Sequence, residues 1–482
     1  MKIVNKEKEK LLTIKEVELL GIKEVWSMYR SYVSSSQVDL IGSFLFGREL
    51  AEYSEGCYIY VKDRKILDIT GGIGVLNHGH NHPRILEARR NFNKKKKMEV
   101  HKNFFSPYVA GLSHNVAKLL PGDLNISYFP NSGAEAVEGA MKMAYKYHNG
   151  SRKIILHSDI SFHGKLLGAA SVTGSPELHF RFPEIPGAHS YKYNNFESIK
   201  DLVRLYRQDS NECDIYAILV EPLNASSMRK CSETFLLNLR ELCDKENIIL
   251  IFDEVYTGWG KTGELFNFMH YKGLVPDIVT YAKSFGGGKS SISGYTTREH
   301  IFRGAYDNLN DATLHSTTYY GFGEECSTAI EALNILVDED FVGNAKKIGE
   351  VLDDGLNDLK KKYPNFILDI RGSGALWGIV LNTKISTKIM TIVSKIIPID
   401  ILKDEKFMSK LATASVISKL YNDHDILSFY GSNVEIPLII SFPLIATEKE
   451  IQYALRAIDS VLSEGIFSLV TSFVKIKFSA LK

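Results

Sequence analysis

The chain has 482 residues, 44% of them hydrophobic and 24% charged, which are ordinary globular proportions and allow a large core with more than one lobe. Its 58 basic and 57 acidic residues leave a formal net charge of +1, which argues against nucleic acid or a strongly acidic partner. The five cysteines are scattered and show no CxxC spacing, so neither a disulfide framework nor a zinc cluster is indicated.

The N-terminal part of the chain predicts helices and then a hairpin. The first 20 residues, MKIVNKEKEKLLTIKEVELL, are too charged for the apolar core of a signal peptide. No stretch of the sequence reaches the apolar length of a membrane span, so we expect a cytoplasmic protein with no membrane span. Residues up to about 50 have the pattern of amphipathic helix and loop, and CYIYVKDRKILDIT alternates as a strand, a turn and a strand.

The middle of the chain predicts a largely parallel sheet covered by helices. Short apolar runs such as KIILH, YAILV and IILIF alternate with helix-like segments such as ETFLLNLRELCDKEN. After about residue 330 the pattern changes to long helices followed by the short strands FILDIRG and ALWGIVL. The prediction is an α/β fold with an N-terminal segment (1–90) that contributes to a small lobe, a large domain (91–330) and a C-terminal small α+β domain (331–482).

Two charged residues stand at the ends of predicted buried strands, where ligands bind in open α/β sheets. The run IILIF leads to Asp253, although a cap of the next turn is the simpler interpretation of an isolated Asp-Glu pair. The run DIVTYA leads to Lys283, with three glycines close behind it. A lysine there can be a solvated charge. A nucleophilic amine, however, needs this setting, with partial desolvation to lower its pKa and backbone room for a flat cofactor.

A phosphate site is predicted upstream of both residues. The segment ISYFPNSGAEAVEGAMKMAYKYH indicates a strand, a turn and a helix that begins near Ser132, Gly133 and Ala134. Unpaired backbone N–H groups and the helix dipole at that end suit a phosphate dianion, while an ordinary helix cap is equally compatible with the pattern. The other glycine-rich segment, GGGKSS, fails as a P-loop because Lys283 occupies a position that requires glycine.

Eight segments, in their order and spacing, resemble the class III aminotransferases of the fold-type I pyridoxal-phosphate (PLP) enzymes. They cover roughly residues 50 to 380, and any one of them alone would be a weak signal. Among members, the chain is most similar to the diamine (putrescine-type) and aldehyde-using transaminases. The segments are ILDITGGIGVLNHGHNHPRI, SYFPNSGAEAVEGAMKMA, FHGKLLGA, LVEPL, LIFDEVYTGWGKTG, PDIVTYAKSFGGG, HSTTYYG and RGSGALWGI.

The resemblance implies the cofactor PLP and two catalytic residues. Lys283 would hold PLP as a Schiff base and carry a proton between the substrate carbon and the cofactor. Asp253 would pair with the pyridine nitrogen and keep it protonated, so that the ring acts as an electron sink. Thr318 in HSTTYYG would reach the phosphate in the neighbouring subunit, which implies an obligate homodimer with shared active sites.

The resemblance also implies the remaining cofactor contacts. Phe162 would stack on the ring with His163 beside it, and Tyr256 stands where many members place a Gln near the phenolic oxygen of the cofactor, so its hydroxyl is expected to do similar work. The predicted cofactor-binding set is Ser132, Gly133, Ala134, Phe162, His163, Glu221, Asp253, Tyr256, Lys283 and Thr318.

Two other segments suggest functions that we set aside. His78, His80 and His82 alternate like metal ligands, but the equivalent family segment lies near the dimer interface and binds no metal, so no metal site is predicted. The apolar and basic tail, GIFSLVTSFVKIKFSALK, is expected to pack on the large lobe, with a partner or membrane surface as the alternative.

The chain departs from the family at a pair of positions that bear on the substrate. Members that handle glutamate and 2-oxoglutarate often pair a Glu in EPIQGE with an Arg just before a PPL segment. Here EPLNAS and LIISFPLIAT place Ser226 and Ile439 at those positions. The paired loss is physically coherent because an unpaired buried charge is costly. We expect the clamp for 2-oxoglutarate to be absent or built elsewhere, with Arg229 as one candidate.

The predicted function is transfer of an amino group between a primary amine or ω-amino compound and an aldehyde or keto acid. Aminomutases, racemases and some decarboxylases share the fold and the cofactor residues, so they remain alternatives. A PLP-free binding protein that kept the fold is a further alternative, against which the intact Lys283 and Asp253 speak.

Overall fold

The structure, a computed structural model, describes residues 11–43, 46–174, 182–207, 212–382, 406–431, 433 and 435–479. A seven-stranded sheet with strand order β4-β12-β11-β10-β7-β5-β6 forms its centre. Strand β12 pairs antiparallel with both of its neighbours, and the other neighbouring pairs are parallel. The strands are β4 (Leu124–Tyr128), β5 (Ile154–Ser158), β6 (Ala188–Tyr191), β7 (Ile215–Val220), β10 (Ile249–Asp253), β11 (Ile278–Tyr281) and β12 (Gly294–Arg298).

The central strands are apolar along their length because helices cover the sheet. Every residue of β5, β7, β10 and β11 is buried, which confirms the predicted strands KIILH, YAILV, IILIF and DIVTYA. Helix Gly133–Tyr147 packs on the sheet through Val137, Ala140 and Ala144. The helices of this region are Pro83–Lys94, Pro107–Leu119, Gly133–Tyr147, Leu167–Ser171, Phe196–Leu205, Glu233–Glu246 and Glu299–Ala305.

A second sheet joins the two ends of the chain. It has the order β1-β2-β3-β15, and the hairpin predicted from CYIYVKDRKILDIT is confirmed as β2 and β3. Strand β15 pairs in parallel with β3. The strands are β1 (Tyr53–Glu55), β2 (Tyr58–Val61), β3 (Arg64–Asp68) and β15 (Ile426–Leu427), and the helices before them are Ile14–Glu18, Ile22–Met28, the π-helix Tyr29–Val33 and Ser35–Ser43.

Long helices and a third sheet follow the central region, as the sequence predicts. This sheet has the order β13-β14-β17-β16 and is antiparallel. Its strands are β13 (Ile367–Ser373), β14 (Leu376–Leu381), β16 (Phe429–Tyr430) and β17 (Leu438–Ser441), and the helices are Gly323–Asp338, Phe341–Lys362, Phe407–His424, Glu448–Ser463 and Ile466–Ser479. The remaining short elements are the turn Gly71–Gly74, the hairpin β8 (Leu223–Asn224) and β9 (Arg229–Lys230), and the 3-10 helices Asn267–His270 and Lys283–Gly286.

The C-terminal tail packs elsewhere than the sequence suggested. Helix Ile466–Ser479 buries Val470 and Phe473 against Leu411 of helix Phe407–His424, so the expectation that it packs on the large lobe is wrong. An apolar helix face predicts that the helix packs against another element, but it does not specify which element that is. Among the described helices none is long and apolar enough by itself to cross a bilayer, and the pair Glu448–Ser463 and Ile466–Lys475 meets that test only jointly, across an 87° bend.

Candidate active site

A cavity of about 710 Å³ opens at the carboxyl ends of the central parallel strands. Glu221 directly follows β7, Asp253 ends β10 and Lys283 lies two residues after β11. Parallel strands end at the same edge of a sheet, so these three side chains from distant parts of the sequence face one space. Nine of the predicted cofactor-binding residues line this cavity, namely Ser132, Gly133, Ala134, Phe162, His163, Glu221, Asp253, Tyr256 and Lys283.

Asp253 is a buried carboxylate that the protein holds in one orientation. Its Oδ2 lies 2.7 Å from Nδ1 of His163, and its Oδ1 accepts a hydrogen bond of 2.9 Å from the backbone N–H of Val255. The other imidazole nitrogen, Nε2 of His163, is buried without a hydrogen bond among the described residues. These partners offset the cost of burying the carboxylate, and each oxygen can accept a further hydrogen bond from a group in the cavity.

Glu221 fixes the loop that carries Phe162. Its Oε2 accepts hydrogen bonds from the backbone N–H of Phe162 at 2.9 Å and from Nδ2 of Asn224 at 2.7 Å. Burial raises the pKa of Glu221 to about 7, with His163 acting in the lowering direction and Asp253 in the raising direction. The side chain therefore positions the cavity wall next to Asp253 rather than adding a second permanent charge.

Lys283 combines a desolvated amine with an uncommon backbone conformation. Burial lowers its pKa, while the charges of Asp253 and Glu221 act in the opposite direction. Its φ of 48° lies in the left-handed region, which a residue other than glycine adopts only when its surroundings enforce it. A lower pKa increases the fraction of neutral amine, which is the form that attacks a carbonyl carbon.

The beginning of helix Gly133–Tyr147 supplies an anion cradle. Ser132 caps the helix by accepting a hydrogen bond of 3.3 Å from the N–H of Glu135. The next two N–H groups, of Gly133 and Ala134, have no partner among the described residues and belong to residues that line the cavity. A Cβ on Gly133 would lie 3.0 Å from Cγ1 of Val255, so a larger residue would require that side chain to shift. Unpaired N–H groups at a helix N-terminus are a ready site for a phosphate.

These features fit PLP, the cofactor expected from the sequence. The helix N-terminus at Gly133 and Ala134 would hold the phosphate, Asp253 would pair with the ring nitrogen and Lys283 offers the amine. When bound, PLP supplies an electron sink for negative charge at the reacting carbon.

Two predicted residues are placed differently from the rest of the set. Thr318 is exposed and does not line the cavity of its own chain. Tyr256 lines the cavity, but its hydroxyl oxygen is buried, and burial raises the pKa of that hydroxyl, with smaller effects from Ser441 and Asp68. The hydroxyl oxygen has no hydrogen-bond partner among the described residues, and its contact with the cofactor stays a prediction.

The three clustered histidines have separate partners. His78 contacts the backbone oxygen of Ala332 at 2.9 Å through Nε2, and His80 contacts Asp68 at 2.9 Å. His82 lies 3.4 Å from Glu339. His78 and His82 thus connect the N-terminal region to helix Gly323–Asp338 and the residue that follows it, whereas His80 contacts the end of β3 within that region.

Part of the cavity wall lies outside the residues predicted from the sequence. Its residues come from the turn after β3, the hairpin after β7 and strand β16, which are far apart in the sequence, so their meeting depends on the tertiary fold. The missed lining residues include Ile73, Val75, Leu223, Ala225, Phe429, Tyr430 and Gly431.

Comparisons with known proteins identify the family. The family model described as Aminotransferase class-III matches residues 48–429. The putrescine aminotransferase of Pectobacterium atrosepticum is 32% identical over 365 residues, which cover 74% of this chain and 76% of that protein.

Solved structures agree on the fold. An ornithine aminotransferase from Toxoplasma gondii has a TM-score of 0.76 at 23% identity and covers 97% of this chain and 100% of its own. A transaminase from the marine bacterium Virgibacillus has a TM-score of 0.75 at 22% identity and covers 86% of this chain and 93% of its own. The predictions of the fold-type I architecture, of PLP as the cofactor and of amino-group transfer are confirmed. The chain belongs to the class III aminotransferases, which are PLP-dependent transaminases.

Proposed function

We propose that this transaminase carries its cofactor on Lys283 and moves an amino group from a primary amine, including a diamine, to an aldehyde or a monocarboxylic keto acid. The observation that carries the assignment is the meeting of a desolvated lysine and a carboxylate fixed by His163 in one cavity. Borohydride reduction followed by peptide mapping tests which lysine is linked, and bleaching of the visible absorbance by an amine tests transamination.

Each residue of the site has a distinct task in this proposal. The neutral amine of Lys283 takes and returns a proton at the reacting carbon, which requires the lowered pKa that burial produces. Asp253, held by His163, keeps a proton on the ring nitrogen. Phe162, anchored through its N–H by Glu221, covers the ring and excludes water.

The donor class follows from the relatives and from the cavity. The putrescine aminotransferase of Pectobacterium atrosepticum is named for a diamine, and it shares 32% identity with this chain. Aliphatic and aromatic side chains such as Val75, Leu223 and Phe429 line the cavity and suit the carbon chain of an amine. A panel of monoamines, diamines and ω-amino acids with one acceptor would rank the donors.

The acceptor is expected to be an aldehyde or pyruvate rather than 2-oxoglutarate. Ser226 and Ile439 both line the cavity, and Oγ of Ser226 accepts a hydrogen bond of 2.9 Å from Asn433. Arg229, a candidate to replace the missing clamp, pairs instead with Glu435 at 3.2 Å and is not among the lining residues. Apart from Lys283, the only lysine or arginine among the described lining residues is the exposed Lys165, so we expect the distal carboxylate of 2-oxoglutarate to be anchored weakly and its desolvation to be costly.

Single-turnover reactions of the amine-loaded enzyme with each acceptor measure this preference. We expect pyruvate to react faster than 2-oxoglutarate at equal concentration. The double variant Ser226→Glu/Ile439→Arg, which introduces the family pair, serves as the matched comparison. A clear preference of the unmodified enzyme for 2-oxoglutarate would contradict the proposal.

A homodimer with shared active sites belongs to the same proposal. Thr318 is exposed and lies outside its own cavity, as a residue that serves a neighbouring subunit would. The segments around residues 102 and 317 contact each other, since Nζ of Lys102 donates to the backbone oxygen of Thr317 at 2.7 Å. They expose an unusual number of large apolar side chains, which is typical of an interface. These are Phe104, Phe105, Leu309, Leu314 and Tyr319.

Replacement of Thr318 with Ala is expected to weaken PLP binding while the chemistry of the loaded enzyme changes little. One hydrogen bond to a phosphate contributes on the order of 1–3 kcal/mol. Equilibrium titration of PLP into the stripped protein measures the loss, and Ser316→Ala removes an exposed hydroxyl two positions away as the control. A monomer with full PLP occupancy in solution scattering would refute the shared site.

The domain boundaries and the location in the cell also remain proposals. Pairing of β3 with β15 supports a small lobe to which residues 1–90 contribute together with the C-terminal domain, beside a large domain over residues 91–330. A cytoplasmic location is supported by the five cysteines, which are all buried and free of disulfides.

A further inference from the structure

The ring of Tyr256 and the amine of Lys283 face each other in the cavity. Nζ of Lys283 lies 4.6 Å from the centroid of the Tyr256 ring. Both residues line the cavity, and the Tyr256 hydroxyl is buried without a hydrogen-bond partner among the described residues. The part of Tyr256 that reaches the amine is therefore its aromatic face.

The turn at Gly74 packs close to both side chains. A Cβ on Gly74 would lie 3.0 Å from Cε1 of the Tyr256 ring and 3.1 Å from Cδ of Lys283. Gly74 has a φ of 85°, a backbone conformation that favours glycine. The turn at Gly74 thus lies close to the ring and to the lysine side chain, and a side chain at this position would have to displace one or both of them.

The charged groups around Lys283 allow the Tyr256 ring to contribute to the protonation state of the Lys283 amine. Burial disfavours its cation, and the carboxylates of Asp253 and Glu221 favour it. Asp253 is at the same time bound to His163, and Glu221 has a pKa raised to about 7 by burial, so both carboxylates are shared or partly neutral. A cation over an aromatic face is attracted by the ring quadrupole, more strongly where water is excluded.

We propose that Tyr256 is a positioning residue that holds the Lys283 nitrogen over its ring face and favours the cationic state of that nitrogen, instead of contacting the cofactor through its hydroxyl. This role rests on the proposed function of Lys283 as the cofactor-bearing lysine. It differs from the amide contact that a Gln at this position would make, because a ring attracts a cation without donating or accepting a proton. The nitrogen would keep its proton at a fixed point above the ring between the two proton transfers at the substrate carbon.

Three variants of the full-length holoenzyme test the proposal. Tyr256→Leu removes the ring and keeps apolar bulk, and Tyr256→Gln is a second ringless variant that guards against a folding defect specific to Leu. Tyr256→Phe keeps the ring and removes only the hydroxyl. Titration of the visible absorbance with pH reports the protonation of the nitrogen that links Lys283 to the cofactor, independently of turnover.

We expect both ringless variants to lower the apparent pKa of this nitrogen by about one unit, and Tyr256→Phe to leave it near that of the unmodified enzyme. PLP content and the midpoint of thermal unfolding show that each variant is folded and loaded. The proposal is overturned if Tyr256→Phe shifts the pKa as far as the ringless variants do, since the hydroxyl would then be responsible, or if no variant shifts it. Peptide mapping of the enzyme without substitutions, after borohydride reduction, distinguishes a failure of this inference from a failure of the proposed function. A linkage on another lysine would refute the proposed function, whereas a linkage on Lys283 with unchanged pKa values would refute this inference alone.

Discussion

Replacement of Lys283 with Ala is expected to abolish the covalent attachment of PLP and to lower kcat by roughly 10³-fold or more. The expectation combines the position of Lys283 after strand β11, its lowered pKa and its place in the cavity with Asp253. The variant loses both the amine that binds the cofactor and the base that moves the proton, so the two losses occur together. Borohydride reduction and mass spectrometry measure the attachment, and steady-state kinetics measures the turnover.

Two other lysines provide sharp controls for this experiment. Lys165 also lines the cavity but is exposed, so its amine keeps its solvation. Lys261 is fully buried with a pKa lowered to about 7 by burial, but its Nζ donates to the backbone oxygen of Phe442 at 2.8 Å and it is not among the lining residues. Lys165→Ala should keep the linkage. A reducible linkage that survives in Lys283→Ala would show that one of the other amines carries the cofactor.

The position of the site at the ends of the central strands could be predicted because each apolar run and the residue that follows it can be recognised in the local sequence. The apolar runs that lead to Asp253 and Lys283 form β10 and β11, which are neighbours in the sheet. Parallel neighbours necessarily deliver their following residues to one edge. The contact between Asp253 and His163 could not be predicted from the residues alone, because it depends on how the loop after β5 folds over the strand ends.

The surroundings of Tyr256 depend on tertiary packing. The motif DEVYTG predicts that the residue lies in the cavity wall, but it does not predict the direction of its hydroxyl. The turn at Gly74 and strand β17, through Ile439, pack near its side chain. Both segments are distant in sequence from Tyr256, and no local pattern encodes their approach.

The substrate side of the cavity was the least predictable part. The sequence identified Ser226 and Ile439 as departures, but it did not show that Arg229 and Arg371 share the carboxylate of Glu435. That ion-pair network removes Arg229 from the set of possible anchors and lies beside the cavity rather than in it. Arg229 and Arg371 lie 206 and 64 positions from Glu435, so this network depends on the tertiary fold.

Replacement of Asp253 with Asn is expected to preserve PLP binding and to lower kcat by roughly 10²-fold or more, because the loss affects the transition state rather than the attachment. An amide cannot hold the proton of the ring nitrogen by charge, so the electron sink weakens. The side chain is nearly isosteric, and a backbone N–H and His163 remain to position it. The phosphate contacts at Gly133 and Ala134 and the amine of Lys283 are unchanged, so the cofactor should stay bound.

Glu254, the next residue in the sequence, allows the same carboxylate-to-amide substitution at a place that the cofactor does not reach. Glu254 is buried, and its oxygens accept hydrogen bonds from the side chain of Thr257 and from the backbone N–H groups of Asn267 at 3.0 Å and Phe268 at 2.8 Å. Glu254→Gln should lower the midpoint of thermal unfolding and retain turnover, because its partners are structural. PLP content, the visible spectrum and single-turnover rates of the two variants separate the effects. Near-normal turnover in Asp253→Asn, with PLP bound, would remove Asp253 from its proposed role and leave the pairing with His163 as its function.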